Sequence, residues 1–124
     1  MGWTVWRGDA LEWGTPSGGD PSRGIVRLSD SLRNMRANIW RLPPGTRGRR
    51  HRELVQEEVF VVLGGTATLA LGHPAEIVDL PTGSVCAVEP KTALQVRNDG
   101  DEETLVLIVG APPETGRADY LPDA

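Results

Sequence analysis

Residues 43–65 read PPGTRGRRHRELVQEEVFVVLGG, and this stretch is the most informative part of the sequence about the fold and a candidate site. A glycine turn leads to His51, Glu53 follows two residues later, and the pair Glu57 and Glu58 precedes a β-rich run that ends at two glycines. Imidazole and carboxylate groups at these spacings can converge on a divalent cation if successive strands bring them together. The chain holds only two histidines, so a site built from three histidines is excluded.

The composition bounds the class of protein. With 124 residues, 39% of them hydrophobic and 24% charged, the chain suits one folded domain with a modest core, and we take residues 1–124 as that domain. The formal net charge of -4 disfavours nucleic acid as a partner, and the apolar runs are too short to cross a membrane. Cys86 is the only cysteine and no basic-then-apolar leader opens the chain, so we expect a cytoplasmic protein.

Glycine and proline divide the chain into short segments. The 15 glycines and 10 prolines fall between runs rich in β-branched residues, a spacing typical of an all-β sandwich or barrel. The sequence LGGT at 63–66 predicts a tight hairpin, and SDSLR at 29–33 a single helical turn. The predicted strands are 4–7, 25–28, 34–42, 58–63, 66–71, 76–79, 84–88, 92–97 and 103–109.

The two ends of the chain are expected to lie outside the central barrel, as an N-terminal arm (1–24) and a C-terminal tail (113–124). The arm carries Trp3, Trp6 and Trp13. These indoles can pack on the sheet, or the arm can pair with a neighbouring subunit in a homodimer that covers exposed edge strands. The proline-rich tail is expected to lie along the surface or to fray.

The motifs in the central region resemble those of the cupins, small β-barrel or jelly-roll proteins. The family's first motif runs Gly, five residues, His-x-His, three or four residues, Glu, six residues, Gly. Here Gly45 is followed by five residues and His51, Glu53 stands at the second histidine place, and six residues separate Glu58 from Gly65. Counting three residues instead would select Glu57 and Gly64, and we favour Glu58.

The second cupin motif is also recognisable, although it lacks its ligand. Leu94 occupies the place of the family's last histidine, and Asn98 follows at the usual distance. The resemblance spans about residues 34–112 and implies an all-β, cupin-like jelly roll in a single domain. It also implies that the family's four-ligand metal centre is degenerate here.

The residues left at that centre are His51, Glu53 and Glu58. One imidazole and two carboxylates can hold a divalent metal such as Fe, Mn, Ni or Zn, whereas Leu94 cannot ligate. The alternative, which we favour, is that no metal binds and that these residues form hydrogen-bonded or ion-paired groups. No cofactor is therefore favoured.

Strand alternation suggests which side chains line a ligand pocket. If Glu58 faces the interior, Phe60 does too, and Arg36, Asn38 and Trp40 share one face of another strand. With Glu53, Leu94 and Asn98 they form the predicted pocket.

An interior carboxylate is costly as an anion, so a metal must neutralise it, an arginine must pair with it, or it must bind a proton. The last two outcomes suit acid–base work by Glu58, with His51 as a proton relay.

Three functions remain open. The first is a cupin barrel that binds a small, anionic metabolite and uses Glu58 and His51 as acid–base groups. The second is a metal-dependent dioxygenase or isomerase that uses His51, Glu53 and Glu58. The third is a non-catalytic ligand sensor or accessory module. The family hosts all three, so the fold does not choose among them.

Overall fold

In the part of the chain that the structure describes, ten strands form two antiparallel sheets that face each other. The computed structural model describes residues 2–113 and 118–124. One sheet contains β1 (Gly24–Val26), β2 (Arg36–Leu42), β9 (Thr104–Ala111), β4 (Glu57–Gly64) and β7 (Val85–Val88), in that spatial order. The other contains β10 (Ala118–Tyr120), β3 (His51–Glu53), β8 (Leu94–Arg97), β5 (Thr66–Leu71) and β6 (Glu76–Pro81). The predicted all-β jelly roll is confirmed, and the predicted helical turn is a short 3₁₀ helix at Leu28–Ser31.

The core between the sheets is built from side chains that point inward at every second residue of a strand. Along β4, Glu58, Phe60 and Val62 are buried, whereas Glu57 and Leu63 are exposed. Burial of such apolar side chains contributes roughly 1.5–3 kcal/mol each. The core comprises Leu42, Phe60, Val62, Ala67, Leu69, Val88, Leu94, Val96 and Val106.

The turn after β4 joins the two sheets. Gly65 has the positive φ that the LGGT sequence predicts, at +69°. However, β4 and β5 lie in different sheets, so the predicted hairpin of two paired strands is wrong. A Cβ on Gly65 would collide with the Glu103 carbonyl and lie 3.2 Å from Thr104 Cα, so the close approach of β9 requires glycine here.

Strand prediction failed at three places. Residues 4–7 form no strand, while β3 and β10 were not predicted. The two missed strands are three residues long and read HRE and ADY, without the β-branched alternation that marks a strand. They pair with each other, so the tail expected to fray contributes an edge strand at Ala118–Tyr120. Residues 114–117 of the predicted tail lie outside the described residues.

The three indoles of the N-terminal arm differ in their contacts with the sheet. The Arg41 guanidinium lies over the Trp13 ring at 4.5 Å, whereas Trp3 and Trp6 are exposed, Trp3 by 80%. The prediction that all three indoles pack on the sheet is therefore wrong for Trp3. No helix in the part of the chain that the structure describes has the length and apolarity needed to cross a membrane.

Asn98 forms hydrogen bonds to backbone groups that connect two segments of the fold, which corrects its assignment to the ligand pocket. It is 1% exposed, and its Nδ2 donates to the carbonyls of Leu42 at 2.8 Å and Glu102 at 2.7 Å. Its Oδ1 accepts from the Gly100 N–H at 3.0 Å. The side chain therefore ties the end of β2 to the turn between β8 and β9.

Replacement of Asn98 by alanine is expected to destabilise the fold without removing a ligand contact. It leaves two buried carbonyls without their donor, which should lower the free energy of unfolding by about 2–3 kcal/mol. Chemical denaturation of Asn98→Ala measures this change. Asn34 is exposed, so Asn34→Ala should change stability by less than about 0.5 kcal/mol. Equal stability of the two variants would contradict the structural role.

Candidate functional site

A cavity of about 490 Å³ opens between the two sheets. Its lining combines charged groups with aromatic and aliphatic walls. Asn98 is absent from the lining. The structure places the other residues of the predicted pocket on the wall, namely Arg36, Asn38, Trp40, Glu53, Phe60 and Leu94. His51 and Glu58, predicted as acid–base or metal-binding residues, line the same cavity.

One histidine and two carboxylates meet inside this cavity. His51 Nε2 lies 3.3 Å from Glu53 Oε2 and 3.8 Å from Glu58 Oε1. One ligand atom from each residue lies within 4.8 Å of the other two. Both carboxylate side chains are about one-tenth exposed, and Glu58 Oε1 has no hydrogen-bond partner among the described residues. The three residues therefore form a compact, buried polar centre, which we call the His51 centre.

The two sheets each contribute part of the His51 centre. His51 and Glu53 are two residues apart on β3 and so share a face, while Glu58 comes from β4 in the opposite sheet. Gly110 on β9 pairs with Glu58, and a Cβ on Gly110 would lie 2.8 Å from Gln56 Oε1 and 3.5 Å from Glu58 Cγ. Without a side chain, Gly110 leaves room for both.

The backbone determines which nitrogen of His51 faces the carboxylates. Nδ1 lies 2.9 Å from the Arg49 carbonyl, which can only accept a hydrogen bond, so Nδ1 carries a proton. In the neutral imidazole, Nε2 then presents a lone pair to two carboxylate oxygens. That arrangement is repulsive, and a second proton or a cation between the three atoms removes the repulsion.

The electrostatic environment of the His51 centre favours bound protons. Burial alone would lower the pKa of His51, but the nearby Glu58 carboxylate, the hydrogen bond to the Arg49 carbonyl and the charge of Glu53 raise it above its ordinary value of 6.5. Burial, and then the charge of Glu58, raise the pKa of Glu53, and the positive charges of His51 and Arg36 only partly oppose this. Both shifts lie in the direction that acid–base chemistry near neutral pH requires.

The same three residues also fit a divalent cation. Ligand atoms about 2.1 Å from a common ion lie roughly 3–3.5 Å apart. The 3.3 Å contact of Nε2 with Glu53 falls within this range, and the 3.8 Å contact with Glu58 is slightly longer. The Arg49 carbonyl orients the imidazole as outer-shell groups do in metal sites. Leu94, which pairs with His51 in the sheet and is 2% exposed, offers no ligand. A cation here would have three protein ligands.

Sequence reasoning missed several residues of the cavity wall. Tyr120 lies in the predicted tail, and its ring centroid is 6.1 Å from that of His51. Arg23, Arg27, Gln56 and Ile108 also line the cavity. Tyr120 is the only tyrosine of the chain, and a single aromatic residue in a polar tail was the one available signal. Arg23 lies in a turn-rich loop, where no periodicity indicates direction.

Comparison with known proteins assigns the family. Residues 38–110 match the profile of the cupin domain, which is more than half of the chain, and the protein belongs to the cupin family. Its members share the double-sheeted barrel described above. Among curated protein sequences, none matches this chain.

Solved structures show the same fold at low sequence identity. A sugar phosphate isomerase of the cupin superfamily from Silicibacter pomeroyi is 23% identical, with a TM-score of 0.79 over 97% of this chain and 83% of its own. The polyketide cyclase RemF from Streptomyces resistomycificus is 16% identical, with a TM-score of 0.82 over 100% and 88%. An uncharacterised Klebsiella pneumoniae protein with a double-stranded β-helix domain is 21% identical, with a TM-score of 0.72 over 93% of each chain.

Proposed function

We propose that this cupin binds a small, anionic metabolite in its barrel cavity and acts on it by proton transfer. The observation that carries the proposal is the convergence of one imidazole and two buried carboxylates inside a cavity of about 490 Å³. Buried acid–base groups in a concave, partly aromatic site are typical of small-molecule enzymes. An isomerase and a cyclase with this fold offer precedents for such chemistry.

Each residue of the His51 centre has a distinct role in this proposal. Protonated His51 donates from Nε2 to a substrate oxygen, because its pKa is raised and its ring is held by the Arg49 carbonyl. Glu58, whose Oε1 is buried without a hydrogen-bond partner, accepts a proton from the substrate. Glu53 keeps His51 protonated between turnovers. Leu94 and Phe60 limit access of water to these groups.

Replacement of Glu58 by glutamine is expected to abolish turnover and preserve binding. The amide keeps the shape of the side chain but cannot accept the proton, so turnover should fall by about 100-fold or more. Substrates are first selected from a metabolite panel by calorimetric binding, and turnover is then followed by mass spectrometry.

The neighbouring residue provides a matched control for this experiment. Glu57 is exposed on the same strand, so Glu57→Gln should retain full activity. Equal turnover by Glu58→Gln and the wild type would contradict the acid–base role. Tight binding of a metabolite without conversion by the wild type would instead favour a non-catalytic sensor.

A second candidate function is that of a metal-dependent cupin enzyme. The mutual spacing of the three ligand atoms and the unpartnered Glu58 Oε1 favour it. His51, Glu53 and Glu58 would hold the cation, and a bound Fe, Mn, Ni or Zn would supply Lewis-acid or redox chemistry. This candidate differs from the first in what supplies positive charge to the centre.

Elemental analysis separates the two candidates. Under the metal-dependent function, protein purified without chelator should contain about one divalent ion per chain, because three ligands converge at one point. His51→Ala should lose the ion, whereas Glu57→Gln should keep it. The metal function is contradicted if the protein contains no ion and its melting temperature does not rise with added Fe, Mn, Ni or Zn.

We further propose that the protein is a homodimer in the cytoplasm and does not bind nucleic acid. Trp3 and Val5 are exposed by 80% and 72%, and an apolar arm of this kind suits a second copy of the chain. The single free cysteine suits a reducing compartment.

Sedimentation equilibrium should give a mass of two chains. Cell fractionation should recover the protein with soluble cytoplasmic proteins. A mass of one chain would contradict the dimer.

A further inference from the structure

Four arginines line the cavity, namely Arg23, Arg27, Arg36 and Arg49. Within residues 2–113 and 118–124, the ion pairs involve Arg7, Arg41, Arg47, Arg97 and His51, and none of the four cavity arginines. The cavity therefore contains guanidinium groups whose charge no described carboxylate contacts directly. Such groups are suited to recognise carboxylate or phosphate.

Arg23 is held by carbonyl groups, and no carboxylate of the described residues forms a salt bridge with it. Its side chain is almost fully buried, and it donates from Nη2 to the Gly18 carbonyl at 2.6 Å and from Nε to the Asp20 carbonyl at 3.0 Å. The guanidinium also lies over the Trp40 ring at 5.0 Å. These contacts fix the plane of the group without neutralising it.

Arg49 is positioned by an aromatic ring in a similar way. Its guanidinium lies over Tyr120, 3.6 Å from the ring centroid, and the same ring contacts His51. The Tyr120 ring therefore neighbours both the Arg49 guanidinium and the His51 imidazole.

A glycine turn brings the two arginines together. A Cβ on Gly19 would collide with Arg23 Nη2 and lie 3.4 Å from Arg49 Cγ, and a Cβ on Gly18 would lie 3.4 Å from Arg49 Nη1. Both side chains thus approach the same turn, which has no side chain to keep them apart. Burial lowers the pKa of Arg23, Asp20 raises it, and the neighbouring Arg49 lowers it further, as expected for two close positive charges.

We propose that Arg23 and Arg49 bind the anionic group of the ligand, a carboxylate or a phosphate, at the part of the cavity wall next to the Gly18–Gly19 turn. This inference rests on the proposed function, and it adds the ligand class. The ligand is a small acid with an apolar or aromatic body that lies against Trp40 and Phe60. Its oxyanion contacts the arginines, and its reacting position lies a few bonds away at the His51 centre.

The test measures binding of three small probes by isothermal titration calorimetry. Benzoate and phenyl phosphate carry the two oxyanions, and benzamide is a neutral match for benzoate. Wild-type protein should bind at least one anion about tenfold or more tightly than benzamide, with an affinity that falls as salt rises. The stronger of the two anions identifies carboxylate or phosphate as the recognised group.

Arg49→Gln is the diagnostic variant, because the side chain is exposed and its removal should not unfold the protein. The Arg49 carbonyl that orients His51 is part of the backbone and remains. Arg49→Gln should weaken anion binding by about tenfold or more and leave benzamide unaffected. Arg47 is two residues away, pairs with Asp123 and is absent from the cavity lining, so Arg47→Gln should bind like the wild type.

The outcomes distinguish this inference from the proposed function. If benzamide binds as tightly as both anions, or if Arg49→Gln binds like the wild type, the anion site is wrong and the cavity remains a ligand site. If the anions bind as expected but Glu58→Gln retains turnover, the acid–base function is wrong and the anion site stands. If none of the three probes binds, the proposed ligand class is wrong.

Discussion

The site depends on one electrostatic constraint, the placement of an imidazole nitrogen against two carboxylate oxygens at 3.3 and 3.8 Å. The Arg49 carbonyl holds the first proton of His51 on the other nitrogen, so the three facing atoms need added positive charge. A proton on His51 or a divalent cation meets this need. The acid–base and the metal-dependent proposals therefore differ only in whether a proton or a metal ion supplies this positive charge.

The barrel creates this constraint because it brings polar groups from two sheets into a buried space. Glu53 from β3 and Glu58 from β4 would repel each other in isolation, and burial adds to the cost of their charges. Phe60, Leu94 and Val106 belong to the apolar core, whose burial provides the opposing stabilisation. Leu94 lies beside His51 at the position where the family places a ligand, and its side chain has no polar atom. The centre therefore consists of His51, Glu53 and Glu58.

The cavity wall carries groups of both signs of charge. The carboxylates of the His51 centre occupy one part of its wall, while Arg23 and Arg49 approach the Gly18–Gly19 turn and stack on Trp40 and Tyr120. A ligand that bridges the two parts would be oriented by its anionic end, so its reacting position would be presented to His51. Orientation of this kind contributes to catalysis by positioning the substrate before reaction.

The sequence alone determined that the chain is all-β, that no site of three histidines exists, and that Glu58 and Phe60 share one face of a strand. These conclusions rest on composition and on the two-residue period of a strand, which are local properties. Asn98 shows the limit, because its place in a motif did not reveal that its amide points to the Leu42 and Glu102 carbonyls.

Only the tertiary structure decided which side chains meet. The short strand His51–Glu53 pairs with Ala118–Tyr120, and this pairing places Tyr120 beside the imidazole although 69 residues of sequence separate them. The distance from His51 to Glu58, and from Arg23 to Arg49, likewise depends on how two sheets and a loop approach one another. Periodicity along a strand cannot encode such distances, because they arise from packing between segments far apart in the chain.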